Sequence, residues 1–453
     1  MSSSPTNDAG LKRGLANRHI QLIALGGAIG TGLFYGSADS IQLAGPAILL
    51  VYLCGGGIIY LVMRALGEMS VYNPVAGAFA EYAYRYWSPR AGFVSGWNYW
   101  FNYIFVAMAE LSVVGIYINY WFPSVPTWLT AAFCLVFITA INLMSVRAFG
   151  EFEFWFALIK VVAIIGMIVL GLAVLVTGLQ APHPQTTAGF LTAFFPNGWS
   201  GTVTSFVVVM FSFGGIELIG ITAGEAQDPH RSIPRAIHLV IQRILIFYVL
   251  SLAIIMAVIP WQSIDGNMSP FVQIFDGVGI TFAAHILNFV VLTAALSVYN
   301  SGLYSNGRML YALAEQGNAP RFFSRTSARG VPYRGVMVSS AITVIAVVVV
   351  FLFPDFAFNY LMSIALVAGI INWTMVIITQ LKFRQHLSAK EADALAFPMP
   401  GGKFSSALVL IMLAACVVLM AVLPQYRVAV IVGPLWLLVL LGVYQLKEKL
   451  GRK

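Results

Sequence analysis

The chain has 453 residues, of which 59% are hydrophobic and only 9% charged, with a formal net charge of +8. Soluble proteins carry about a quarter charged residues, so the composition excludes a soluble enzyme or binding domain and points to a polytopic membrane protein. Apolar runs of about twenty residues recur along the sequence, each enough to cross roughly 30 Å of hydrocarbon, and they are too long and uniform for barrel strands. The expected spans are therefore helices, which satisfy their own backbone hydrogen bonds in lipid.

In chain order, residues 1–17 form a polar tail, and no cleavage site follows the first apolar run, so no signal peptide is expected. Twelve spans follow, at 18–43, 46–71, 91–119, 127–145, 151–178, 200–224, 235–260, 279–305, 332–353, 356–381, 404–424 and 428–447, with a short tail at 448–453. The stretch "NPVAGAFAEYAYRYWS" (Asn73–Ser88) is too polar to span and suits an interfacial helix or a solvated loop.

The basic residues fall on one side of this layout. Lys12, Arg13 and Arg18 precede the first span, and Arg85, Arg90, Arg147, Arg231 and Arg235 follow even-numbered spans. Arg321, Arg325, Arg329, Arg334, Lys382, Arg384, Lys390 and Lys403 continue the pattern, and the opposite loops hold only Arg427. The positive-inside rule places both termini in the cytoplasm, which makes the basic charge a topology signal rather than a nucleic-acid footprint.

Two spans carry unusual interruptions. "ALGGAIGTGLF" (Ala24–Phe34) holds four glycines, and "MFSFGGIELIG" (Met210–Gly220) holds Gly214 and Gly215 just before Glu217. The first and sixth spans are five apart, and Gly-interrupted segments at matching positions of two halves point to an inverted-repeat transporter. The expected domains are a first repeat at 18–178, a second, inverted repeat at 200–381, and two added helices at 404–447. A mid-membrane break frees N–H groups for an anion and carbonyls for a cation, which together suit a zwitterion. Close helix packing by small residues is the competing reading of the same glycines.

Four ionisable residues stand within spans. Lys160 lies roughly 14 Å into the fifth span, where a lysine is expensive unless it is paired, neutral or snorkelling to the interface. Glu110 shares a helical face with Tyr103, Val106 and Ala107 at i, i+3, i+4 and i+7 spacing, near the outer end of the third span, where it is either a coupling residue or solvated. Glu217 opens the second half of the sixth span, where a carboxylate also suits the helix dipole. His285, in the eighth span, is expected as a packed, hydrogen-bonded core residue. Glu225 and Asp228 are expected to be structural.

The three cysteines, Cys54, Cys134 and Cys416, show no metal or disulfide spacing, and there is no GxSxG, HExxH or CxxC motif. The "GGKF" at Gly401 lacks the rest of a phosphate loop, so neither ATP nor another cofactor is expected. A membrane enzyme and a channel are the rival classes; a channel would not need paired broken helices in one chain.

The motifs "GLKRGLANRHIQLIALGGAIGTGLF", "AGPAILL", "MRALGEM", "FGEFEFWFALIKV", "FSFGGIELIGITAGEAQDPHRSIPRAI" and "LNFVVLTAALSVYNSGLYSNGRMLYALAEQGNAP" cover most of the chain. Through them the sequence resembles the amino acid transporter branch of the amino acid–polyamine–organocation superfamily. The resemblance implies a LeuT-type five-plus-five fold with helices 1 and 6 discontinuous. It also implies proton-coupled amino acid import across a bacterial inner membrane by a functional monomer, with the free amino acid, the proton and the lipid bilayer as partners.

"GWNYW", "VAMAEL" and "SVYNSGLYSN" look most like the aromatic amino acid permeases, with phenylalanine, tyrosine or tryptophan as substrate. "LFYGSA", "SVYNPVAG" and the polar Asn102 look more like the proline or histidine permeases. The resemblance implies that amides of Gly30, Thr31 and Gly32 receive the substrate carboxylate, and that carbonyls of Ala28, Phe211 and Gly214 receive the ammonium. Tyr103, Val106, Ala107, Phe211 and Gly215 would form the side-chain pocket and gate. Lys160, Glu110 and Glu217 are the proton-coupling candidates.

Overall fold

The structure is a computed structural model that describes residues 29–75, 78–178, 194–217, 229–264, 266, 268–277 and 279–451. The described residues form helices and turns, without strands. In order the helices are α1 (Thr31–Phe34), α2 (Gly36–Ala44), α3 (Ile48–Tyr72), α4 (Ala78–Tyr82), α5 (Pro89–Asn119), α6 (Thr127–Met144), α7 (Val146–Thr177) and α8 (Gly198–Phe211). They continue with α9 (Pro229–Arg243), α10 (Ser251–Val258), α11 (Pro270–Gly277), α12 (Thr281–Glu315), α13 (Tyr333–Leu352), α14 (Ala357–His386), α15 (Ala389–Asp393), α16 (Gly402–Val422) and α17 (Arg427–Gly451).

Ten described helical stretches are long and apolar enough to cross a membrane. They coincide with ten of the twelve expected spans. The two others are those with glycine interruptions: residues 18–28 and 218–224 lie outside the described residues, and α8 is a shorter apolar helix of 14 residues. The π-helical stretch Ile244–Leu250 joins α9 and α10 into one span. Within the stretch expected to be interfacial or looped, the described residues form α4 and a π-helical turn, Ala83–Trp87, and its end caps α5 through Ser88, whose Oγ accepts from Ala91 N at 3.1 Å.

α5 is the axis of the bundle, packed along much of its length against α12 and α14, and α8 packs against α2 and α3. Side chains tie the helix ends at one face: Trp97 Nε1 donates to Asn318 O at 3.0 Å, and Arg329 Nη1 donates to Met144 O at 3.1 Å. The same face carries a buried clasp. The Glu68 carboxylate accepts from Arg384 Nε at 2.7 Å and Nη2 at 2.6 Å, and from Gln380 at 2.9 Å. At the opposite face Asn197 donates to Leu43 O at 3.0 Å, and Gln42 donates to Ile264 O at 2.6 Å.

His285 departs from expectation. It sits near the start of α12, exposed, where its Nδ1 accepts from Trp121 Nε1 at 2.9 Å; it is hydrogen-bonded but not in the core. Cys54 is exposed, while Cys134 and Cys416 are buried.

Candidate substrate site

Both helix interruptions are visible where they are described. Ile29 and Gly30 are non-helical, and α1 begins at Thr31 with Gly30 as its extended N-cap. α8 ends at Phe211, and residues 212–217 run as turns. Backbone freed by such a break is costly in hydrocarbon unless partners hold it. Tyr248 Oη donates to Ser212 O at 3.1 Å, and Tyr52 Oη bonds Ser212 Oγ at 3.2 Å. The two breaks abut: a Cβ placed on Gly32 would lie 2.7 Å from Ser212 Cα.

Between the breaks is a cavity of about 20 Å³, lined by residues including Gly30, Gly32, Val106, Glu110, Phe211 and Gly214. That is about a water's worth of space, so the site is collapsed. Glu110 is buried, not solvated, and Thr31 N donates to both of its carboxylate oxygens at 3.3 Å. A vestibule of about 620 Å³ opens toward the face bearing Asn197 and Trp121, and Tyr35, Asp39, Tyr117, Asp355 and Phe358 are among its walls. Aromatic rings separate it from the cavity: Tyr35 meets Phe358 edge-on at 5.1 Å, and Phe358 meets Phe211 at 6.1 Å.

Toward the other face the route is filled. Glu217 is buried and accepts from Tyr103 Oη at 3.5 Å and Trp373 Nε1 at 3.4 Å. Lys160 is fully buried rather than snorkelling, and its Nζ donates to Ile29 O at 3.2 Å and Ser297 Oγ at 2.9 Å. The described residues contain no cluster of metal-ligating side chains.

The amino acid permease family model matches residues 19–453. The chain belongs to that family. This permease is 50% identical over 457 residues to the aromatic amino acid transport protein AroP of Salmonella typhimurium (strain SL1344), covering 100% of the permease and 99% of the relative. It is 50% identical over 447 residues to AroP of Escherichia coli (strain K12), covering 98% and 97%. It is 49% identical over 449 residues to AroP of Shigella flexneri, again covering 98% and 97%.

Of the expected site residues in this permease, Gly30, Gly32, Val106, Phe211, Gly214 and Glu110 meet at the cavity, with Thr31 beside them. Tyr103, Ala107 and Gly215 are buried but do not line it. The Tyr103 ring turns to Tyr99, 4.6 Å away, and its hydroxyl to Glu217. The Phe211 carbonyl already accepts from Gly214 N at 2.9 Å. Asn102 donates its amide to Ala365 O at 2.6 Å, tying α5 to α14. Ala28, Glu225 and Asp228 lie outside the described residues.

The sequence reading missed Ser212, Val298, Ser297, Tyr35 and Phe358. Ser297 and Val298 stand in "SVYNSGLYSN", where only their place in α12 distinguishes them from core residues.

Proposed function

We propose that the chain is a proton-driven importer of aromatic amino acids that works by alternating access around the collapsed cavity. The observation that carries this reading is an acceptor already seated at the site: the Glu110 carboxyl group on the Thr31 N–H, at the head of α1. Free amides at a helix start favour a carboxylate. A substrate carboxylate would replace that of Glu110 and add the amides of Gly30 and Gly32. Its ammonium would take the carbonyls of Ala28, Phe211 and Gly214.

The aromatic class is supported by the rings of Phe211, Phe358 and Tyr35 beside and above the cavity, since aromatic pairs add about 0.5–1.5 kcal/mol beyond area burial. The relatives at 50% identity, aromatic amino acid transport proteins, support the same class. The Asn102 side chain spends one N–H on Ala365 O and does not line the cavity, which does not favour a role in reading a polar side chain such as that of histidine.

Coupling is assigned to Lys160, a buried cation that touches the first break through Ile29 O, with Glu110 and Glu217 as the other carboxyl groups of the site. The reading includes twelve spans, with repeats at 18–178 and 200–381 and added helices at 404–447. Both termini lie on the cytoplasmic side of a bacterial inner membrane, and one chain suffices for transport. The collapsed site then lies below a vestibule open to the outside.

The test is a competition panel of the common amino acids against labelled phenylalanine in proteoliposomes, with and without a pH gradient and sodium. Phenylalanine, tyrosine and tryptophan should compete best, and uptake should follow the pH gradient and ignore sodium. Proline or histidine displacing the label at lower concentration than phenylalanine would overturn the aromatic reading.

A further inference from the structure

A buried polar chain leads from Lys160 away from the cavity. Ser297 Oγ, which accepts from Lys160 Nζ at 2.9 Å, donates to Glu153 Oε1 at 2.6 Å. The other Glu153 oxygen accepts from Asn300 Nδ2 at 3.3 Å, and Asn300 Oδ1 accepts from Asn142 Nδ2 at 2.9 Å. Asn142 lines a cavity of about 10 Å³ with Ser145, Val146 and Tyr304, where α6 gives way to α7. That junction belongs to the face that carries Arg329, whose guanidinium donates to Met144 O. Lys160, Ser297, Glu153 and Asn300 are each 0% exposed.

We propose that Ser297 and Glu153 form a proton relay between Lys160 and the basic face of the permease. In the step, a Lys160 N–H bond breaks as Ser297 Oγ takes the proton. The Ser297 O–H proton passes in the same movement to Glu153 Oε1. A neutral amine, an intact serine and a neutral acid result, and Glu153 then gives its proton to water as the basic face opens.

The charge balance favours this route over direct loss from Lys160. Lys160 and Glu153 sum to zero charge as an ion pair and as a neutral pair, so the transfer adds no net charge to the interior. Loss of the lysine proton alone would strand a carboxylate at membrane depth, which is strongly unfavourable. Glu110 and Arg243 are also within electrostatic reach of Lys160. Neither is on the chain to the basic face, since Glu110 faces the cavity at Thr31.

The relay rests on the proton-coupled reading above, and its test separates the two. Wild type, Ser297→Ala, Ser297→Thr and Glu153→Gln are compared in proteoliposomes for two quantities. One is exchange of labelled substrate at equal concentrations without a gradient. The other is accumulation driven by a gradient of about one pH unit, which sustains about tenfold for one proton per substrate.

Ser297→Ala and Glu153→Gln should keep exchange and lose the accumulation, and Ser297→Thr, which retains the hydroxyl, should restore it. Wild-type accumulation in Ser297→Ala or in Glu153→Gln overturns the relay and leaves proton coupling standing. Ser297→Thr behaving like Ser297→Ala also overturns it, because packing would then be the cause. Should Ser297→Ala lose exchange as well, the near-isosteric Glu153→Gln decides alone. A wild type that ignores the pH gradient overturns the coupling and the relay together.

Discussion

The Glu110 carboxylate occupies the backbone N–H of Thr31, with both oxygens at 3.3 Å, and presses so closely on Gly30 that a Cβ there would lie 2.6 Å from Oε1. The N–H at the head of α1 is thus met by a side chain from α5. On the proposed reading, an arriving carboxylate must displace that carboxyl group. Hydrogen bonds to charged groups contribute about 1.5–3 kcal/mol, so the rivalry is large enough to shape affinity.

Glu110→Gln should therefore tighten substrate binding by about tenfold, because a neutral amide competes less well for the N–H. The sign with pH follows from the same contact. Protonated Glu110 is a poor competitor, so wild-type affinity should fall as pH rises, while Glu110→Gln should be flat. Calorimetric titration across a pH series checks both; a variant with weaker binding and the wild-type slope would remove Glu110 from the anion site.

Gly32→Ala should nearly abolish binding. Its Cβ would lie 2.7 Å from the backbone at Ser212, which Tyr248 and Tyr52 hold in place, so there is little room to yield. Gly57→Ala is the control: nothing stands within 4 Å of its Cβ, and the change removes a helix-interior glycine, for a gain of about 0.5–1 kcal/mol. Equal loss of binding in both variants would refute the close-approach argument. The substrate's methyl ester, lacking the carboxylate charge, should compete poorly against wild type.

Lys160→Ala should uncouple transport. Removing the ammonium that joins Ile29 O to Ser297 should leave exchange measurable while accumulation loses its dependence on the pH gradient. Normal concentrative uptake in this variant would move the coupling function to Glu110.

Glu68→Ala should lower stability by about 3 kcal/mol, read as a fall in the thermal unfolding midpoint in detergent. Glu68 is fully buried and joins α3 to α14 through Arg384 and Gln380, so truncation leaves the guanidinium without its acceptor. Arg384→Lys should fall between, because an ammonium cannot reproduce the two-pronged contact. A midpoint unchanged in Glu68→Ala would make the clasp energetically neutral.

The span pattern was legible because hydrocarbon leaves the backbone few options, so long apolar runs had to be helices. The breaks were legible because glycines concentrate where a helix is otherwise needed. Side-chain direction was less accessible. Tyr103, Val106, Ala107 and Glu110 share a helical stripe, but the cavity faces only part of it, and Tyr103 and Ala107 fall outside. A solvated position stayed open for Glu110 because the end of its span was near in sequence. α5 continues nine residues beyond it, about 13 Å of helix, and so keeps it buried. Gly215 was expected to make room in a pocket; its φ of +92° shows a turn role instead, so a side chain there strains the backbone wherever it points. Glu153 was overlooked although it stands seven residues before Lys160, two turns along the same face of α7.

The pinning of Ser212 by Tyr52 and Tyr248 has a mechanical corollary. It fastens the second break to α3 and to the π-helical stretch before α10, whereas Glu110 and Val298 belong to α5 and α12, which pack on each other. The cavity walls thus come from two groups of helices, and on the proposed reading the substrate lies in the seam between them. Under alternating access, a molecule that fits the seam would let the two sides close over it and be carried. One with the same head group and a bulkier tail would grip both sides yet wedge them apart. Oversized relatives of the substrate should therefore act as blockers rather than as slow cargo.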